Sequence, residues 1–143
     1  MTLPRTALRL AAAAATALSA ACSGDETAPT GHDHTPTSYK VLIGGIEVTA
    51  PYTLVAGQTV RVQLKFFNAA SEDLDDVEST HFAALTFSPA SLATAAPVTD
   101  HHFQFDVTGG TVGTGTVELG YGHDAQADEH SFTADAATVQ TAP

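Results

Sequence analysis

From Tyr39 onward apolar residues recur at every second position, a spacing that suits a strand with one buried face and not a helix. In residues 59–66, Val60, Val62, Leu64 and Phe66 alternate with Thr59, Arg61, Gln63 and Lys65. One face is therefore core and the other meets water. The same alternation returns in residues 81–87 (Ala83, Leu85, Phe87), 101–107 (Phe103, Phe105, Val107) and 116–121 (Val117, Leu119, Tyr121). Weaker runs fall at 39–43 with 46–48, at 92–95 and at 132–139. Between them stand Gly, Pro, Asp and Asn, as in Ala56-Gly57, Ser88-Pro89 and Gly109-Gly110, which end strands and make turns. No amphipathic helical period is present after residue 21. About seven short strands at regular spacing predict one all-β domain over residues 39–143, an antiparallel β-sandwich.

The chain before that domain reads differently. Arg5 and Arg9 precede an apolar run from Leu10 to Leu18, followed by Ser19-Ala20-Ala21-Cys22. Basic, apolar and small-residue regions in this order are a signal peptide, too short for a membrane span. Leu18-Ser19-Ala20-Ala21-Cys22 resembles the lipobox of bacterial lipoproteins, with Ser19 where a larger aliphatic residue is usual. That resemblance implies cleavage before Cys22 and lipidation of Cys22. The organisation expected is a signal peptide at 1–21, a lipidated cysteine and flexible tether at 22–38, and the sandwich at 39–143. The tether is polar and broken by Gly and Pro. The location expected is the cell envelope, outside the cytoplasm, with membrane contact through the lipid. Ser23 after Cys22 resembles the outer-membrane sorting pattern of enterobacteria.

Composition narrows the chemistry. Of five basic and sixteen acidic residues, residues 1–21 hold two and none. The remainder is therefore 3 − 16 = −13 in charge, which argues against nucleic acid as a partner. Cys22 is the only cysteine. Once it is lipidated, disulfides, thiolate metal sites and cysteine nucleophiles are excluded. About a hundred residues must then hold together by their core.

Three segments carry a family resemblance: Val-Ala-Gly-Gln-Thr-Val-Arg-Val at 55–62, Ser-Leu-Ala-Thr-Ala at 91–95, and Phe-Asp-Val-Thr-Gly-Gly-Thr-Val-Gly-Thr-Gly-Thr-Val at 105–117. In this order they resemble the bacterial immunoglobulin-like domains of the invasin and intimin type, over roughly residues 40–140. The resemblance implies an immunoglobulin-like sandwich and leaves function open. The chain departs from those adhesins in having one such unit, with loops richer in His and acid than a spacer requires.

Alternating strands bring the loops that follow the second, fourth and sixth strands of such a sandwich to one end. His81, His101, His102, His123 and His130 then share a pole with Glu72, Asp73, Asp75, Asp76, Glu78, Asp100, Asp124, Asp128 and Glu129. Imidazole and carboxylate are ligands for Zn(II), Cu(II) or Ni(II) where no thiol is present. The candidate site is His81, His101 or His102, and His123, with Asp124 or a carboxylate of the 68–78 loop as fourth ligand. His130, Asp76 and Glu78 are lesser candidates. His101 shares a face with Phe103 and Phe105 and suits a site at the mouth of the core, whereas His102 suits one on the outer surface. Ordinary solvated loop histidines are the competing reading. The acidic run 72–78 lacks the Asp-x-Asp-x-Asp-Gly spacing of a calcium loop and reads as a solvated loop. His32-Asp33-His34 reads as a loose metal recruiter or as polar composition.

Enzyme patterns do not assemble. Residues 109–115 are glycine-rich, but no lysine and no helix follow as a phosphate loop requires. His123, Asp124 and Ser131 carry the letters of a hydrolytic triad without its geometry. The expectation is a monomeric, lipid-anchored binding module without catalysis, holding Zn(II) first. The alternative is a structural or adhesive envelope module that binds a protein or glycan and no metal.

Overall fold

A computed structural model describes residues 34–74, 80–123 and 126–143. Among them are ten strands and no helix: β1 (Ser38–Ile43), β2 (Ile46–Val48), β3 (Tyr52–Val55), β4 (Thr59–Phe67), β5 (Phe82–Ser88), β6 (Ala93–Val98), β7 (His101–Gly109), β8 (Gly113–Gly122), β9 (His130–Ser131) and β10 (Asp135–Gln140). They form an open β-sandwich. One sheet has the order β2-β1-β4-β7-β6 and the other β3-β10-β8-β5, with β9 beside β8. No helix among the described residues is long and apolar enough to cross a membrane.

The period-two pattern becomes the core. Val62, Leu64 and Phe66 of β4 face inward with Phe103, Phe105 and Val107 of β7. They meet Ala83 of β5, Val117, Leu119 and Tyr121 of β8, and Ala137 and Val139 of β10. Fully burying one such large apolar side chain stabilises the fold by roughly 1.5–3 kcal/mol. Gly44 and Gly45 both have positive φ, the conformation that a two-residue turn needs to fold β1 back on β2 with Ile43 opposite Ile46.

Two departures from the sequence reading have physical causes. Tyr52–Val55 is a strand that alternation did not single out, and it pairs in parallel with β10, Ala137 lying opposite Tyr52. A parallel partner so distant in sequence leaves no local signature. The last run, read as a strand over 132–139, is strand only from Asp135, with the short β9 ahead of it; Phe132 between them packs on Tyr39 and Phe66, at ring-centroid distances of 4.8 and 5.6 Å.

The ladders fix what stands at the pole. Ser38 is opposite Phe67, Phe82 opposite Gly122, and His130 opposite Tyr121. The starts of β1, β5 and β9 therefore lie with the ends of β4 and β8. Gln63 opposite Gln104 brings the start of β7 to the same end.

Candidate functional site

A ladder of rings climbs out of the core at this pole. Phe66 and Phe103 of one sheet pack against Tyr121 of the other, with centroids 5.1 and 6.1 Å away. Tyr121 stacks in turn on His81 at 5.3 Å. That floor makes His81, the residue just before β5, nearly inaccessible, with 1% of its surface exposed. Above it are two more imidazoles. His123 lies 4.3 Å from His81, tilted by 51°, and His34 stacks on His81 at 5.1 Å and 16°. The Nδ1 of His34 is buried with no hydrogen-bond partner.

His123 has a carboxylate behind it. Its Nδ1 lies 2.6 Å from Oε2 of Glu129, and this hydrogen bond holds the Glu129 carboxyl below the usual range. In the neutral tautomer that donates from Nδ1, Nε2 would be the nitrogen able to ligate. A carboxylate on one imidazole nitrogen is the arrangement that orients metal-bound histidines and raises their basicity.

The loop that carries both residues depends on glycine. A Cβ at Gly120 would come 2.3 Å from the Ala127 carbonyl oxygen, and one at Gly122 3.0 Å from the Ala127 Cα. Ala127 is buried. Glycine thus lets residues 126–129 lie against β8, beside His123 and its partner Glu129.

The remaining candidates are placed as follows. His102 is half-buried, stacks on Phe82 at 4.1 Å, and directs its Nδ1 to the His81 carbonyl at 2.9 Å. His101 is exposed at the first position of β7, and His130 stands 6.2 Å from Tyr121. His32, Asp33, Asp76, Glu78 and Asp124 lie outside the described residues. Two acids of the 68–78 loop are engaged elsewhere: Glu72 accepts from the buried Asn68 at 2.7 Å, and Asp73 pairs with Lys65 at 2.7 Å. Among the described residues, no three His, Cys, Asp or Glu side chains already stand in a coordinating arrangement.

Two residues acquire a place that sequence reasoning did not give them. The sequence groups His34 with the tether, yet β1 begins at the pole and His34 precedes it by four residues. Glu129 was one acid among many until its contact with His123 distinguished it.

Comparison with known proteins adds little to this picture. No family model matches the chain, and no curated protein does. Among solved structures it is similar to domains 4 and 5 of the S-layer protein SbsC, with a TM-score of 0.46 and 13% identity, over 73% of this chain and 53% of that one. The chain thus spans about half the length of that structure.

Proposed function

We propose that this chain is a lipid-anchored, extracytoplasmic binding module whose histidine pole captures a transition metal, Zn(II) first and Cu(II) or Ni(II) as alternatives. The carrying observation is the His81–His123 pair, 4.3 Å between ring centroids, with Glu129 on the Nδ1 of His123. A zinc ion sits about 2.0–2.1 Å from an imidazole nitrogen, hence about 3.2 Å from the ring centroid, so two imidazoles on one tetrahedral ion have centroids about 5 Å apart. The pair is close to that spacing. Rings must still turn to converge, and ordering a side chain costs at most about 1–2 kcal/mol. Water would complete the coordination, with Asp124 the further ligand that the sequence offers.

The location rests on the residues before the domain. Arg5, Arg9, the apolar run and Cys22 support export and lipidation. Because β1 enters at the histidine pole, a lipid on Cys22 would hold that pole toward the bilayer. Calorimetry of the full chain with Zn(II) tests the reading. One saturable site is expected, lost in His81→Ala and His123→Ala and weakened below about pH 6, since protonated imidazole cannot ligate. Absence of saturable binding, or binding indifferent to both changes, would leave the structural or adhesive module as the better account.

A further inference from the structure

We infer that β5 is a docking edge for a second copy of this chain, pairing antiparallel with its own counterpart about a twofold axis at Leu85. The inference stands apart from the metal reading. It departs from the monomer expected from the sequence, in which a free strand edge leaves no mark. β5 closes the second sheet, with β8 on one side and no strand among the described residues on the other. Such an edge is a template for another strand, and folds blunt it with short strands, proline, bulges or charge. The other edges are blunted in this way. β2 has three residues and β3 four, and β6 carries Pro97 beside a register shift. β5 has seven residues, Phe-Ala-Ala-Leu-Thr-Phe-Ser, with no proline, glycine or charge, in a chain of sixteen acids.

Backbone and side chains both select the partner. Leu119 of β8 gives its carbonyl to Phe132, on the side away from β5. Leu85, opposite Leu119, therefore turns its own N–H and C=O outward, and Ala83 and Phe87, two residues to either side, do the same. Centred on Leu85, a second β5 sets Leu85 opposite Leu85, Ala83 opposite Phe87 and Ala84 opposite Thr86. The pairs made by Ala83, Leu85 and Phe87 exchange about six backbone hydrogen bonds. A large ring meets a small methyl, and no charge meets a like charge. Leu85 and Phe87, half-buried against the core, gain cover from the second strand. Two paired seven-residue strands make an interface smaller than the roughly 1,200–2,000 Å² of stable complexes, so the dimer is weak. Its two histidine poles fall at opposite ends, because β5 starts at that pole and the copies run antiparallel.

Sedimentation equilibrium of the full chain in detergent, over about 0.01–0.5 mM, reads the dimer. A reversible monomer–dimer equilibrium is expected. Ala84→Lys with Thr86→Lys sets like charges opposite each other at both symmetric pairs, and should weaken association by about tenfold. Ala84→Glu with Thr86→Lys sets opposite charges at the same two pairs and should restore it. Thr86 is exposed and lies opposite Glu118 of β8, so a lysine there suits the monomer, and melting temperatures confirm that each variant is folded. A native chain that stays monomeric across this range overturns the inference, whatever the variants do. So does a dimer that the first double variant leaves intact, or one that the second fails to restore.

Discussion

The rings of His81 and His123 lie 4.3 Å apart because the β5–β8 ladder ends with Phe82 opposite Gly122. The next residue outward on each strand faces the other across the rim. Tyr121, one pair further in, supplies the stacking surface beneath His81. The site is thus an extension of the core, and its predictions concern packing as much as ligation.

Glu129 should matter to metal affinity more than to the fold. Glu129→Gln removes the carboxylate from the Nδ1 of His123, and loss of such a partner lowers metal affinity by about 10–100-fold. Both side chains are substantially exposed, 54% and 43%, so the melting temperature should barely move. Because Glu129 is held below the usual carboxylate range by the His123 hydrogen bond, the contact is complete above that range and is lost as pH falls through the lowered value. Zinc titrations and thermal melts of the variant check both halves.

Gly120→Ala should damage the loop and the site together. The added methyl would meet the Ala127 carbonyl oxygen at 2.3 Å, so residues 126–129 must lift from β8. A destabilisation of about 1–3 kcal/mol is expected, in the range of overpacked sites, with zinc affinity falling in the same variant. Denaturant unfolding alongside calorimetry measures the two effects.

Asp135 of β10 joins the two sheets. It accepts from Tyr39 of β1 at 2.5 Å and from Tyr52 of β3 at 2.8 Å. Burial, and then the hydrogen bond and charge of Asp135, push the Tyr39 phenol up from 10.0 to about 12, and the same causes raise Tyr52. A raised phenol contributes stability that is complete below the unfolded value and is lost as pH climbs through the folded one. Stability should therefore fall between about pH 10 and 12. Tyr39→Phe should cost about 1 kcal/mol at neutral pH and blunt that alkaline loss, as equilibrium unfolding across the pH range would show.

Cys22→Ser should release the chain from the membrane. Lipidation has no other cysteine to use, and stable anchoring needs the acyl chains. Fractionation of cells expressing each form reads the outcome, and a membrane-bound serine variant would remove the lipid anchor from the account.

Much of the sandwich was legible because burial on one face forces a period of two. Thr59–Phe67 and His101–Gly109 show it residue by residue. Tyr52–Val55 was not legible, since its partner β10 lies far along the chain and runs parallel. Convergence of His81 and His123 followed from alternating strand direction alone. The place of His34 did not, because a polar segment rich in Gly and Pro has no periodicity, and only the ring surface of His81 gives it somewhere to rest. The behaviour of His102 escaped the alternation rule for a related reason. It sits where β6 shifts register between Pro97 and Val98, and it bonds to the His81 backbone across the rim.

The most direct test is the nitrogen-15 spectrum of the histidine side chains in the full chain as Zn(II) is added. The account predicts that resonances of His81 and His123 move together and saturate at one equivalent, with exposed His101 unmoved. Unchanged His81 and His123 resonances at saturating zinc, or changes confined to His101 and His130, would contradict it.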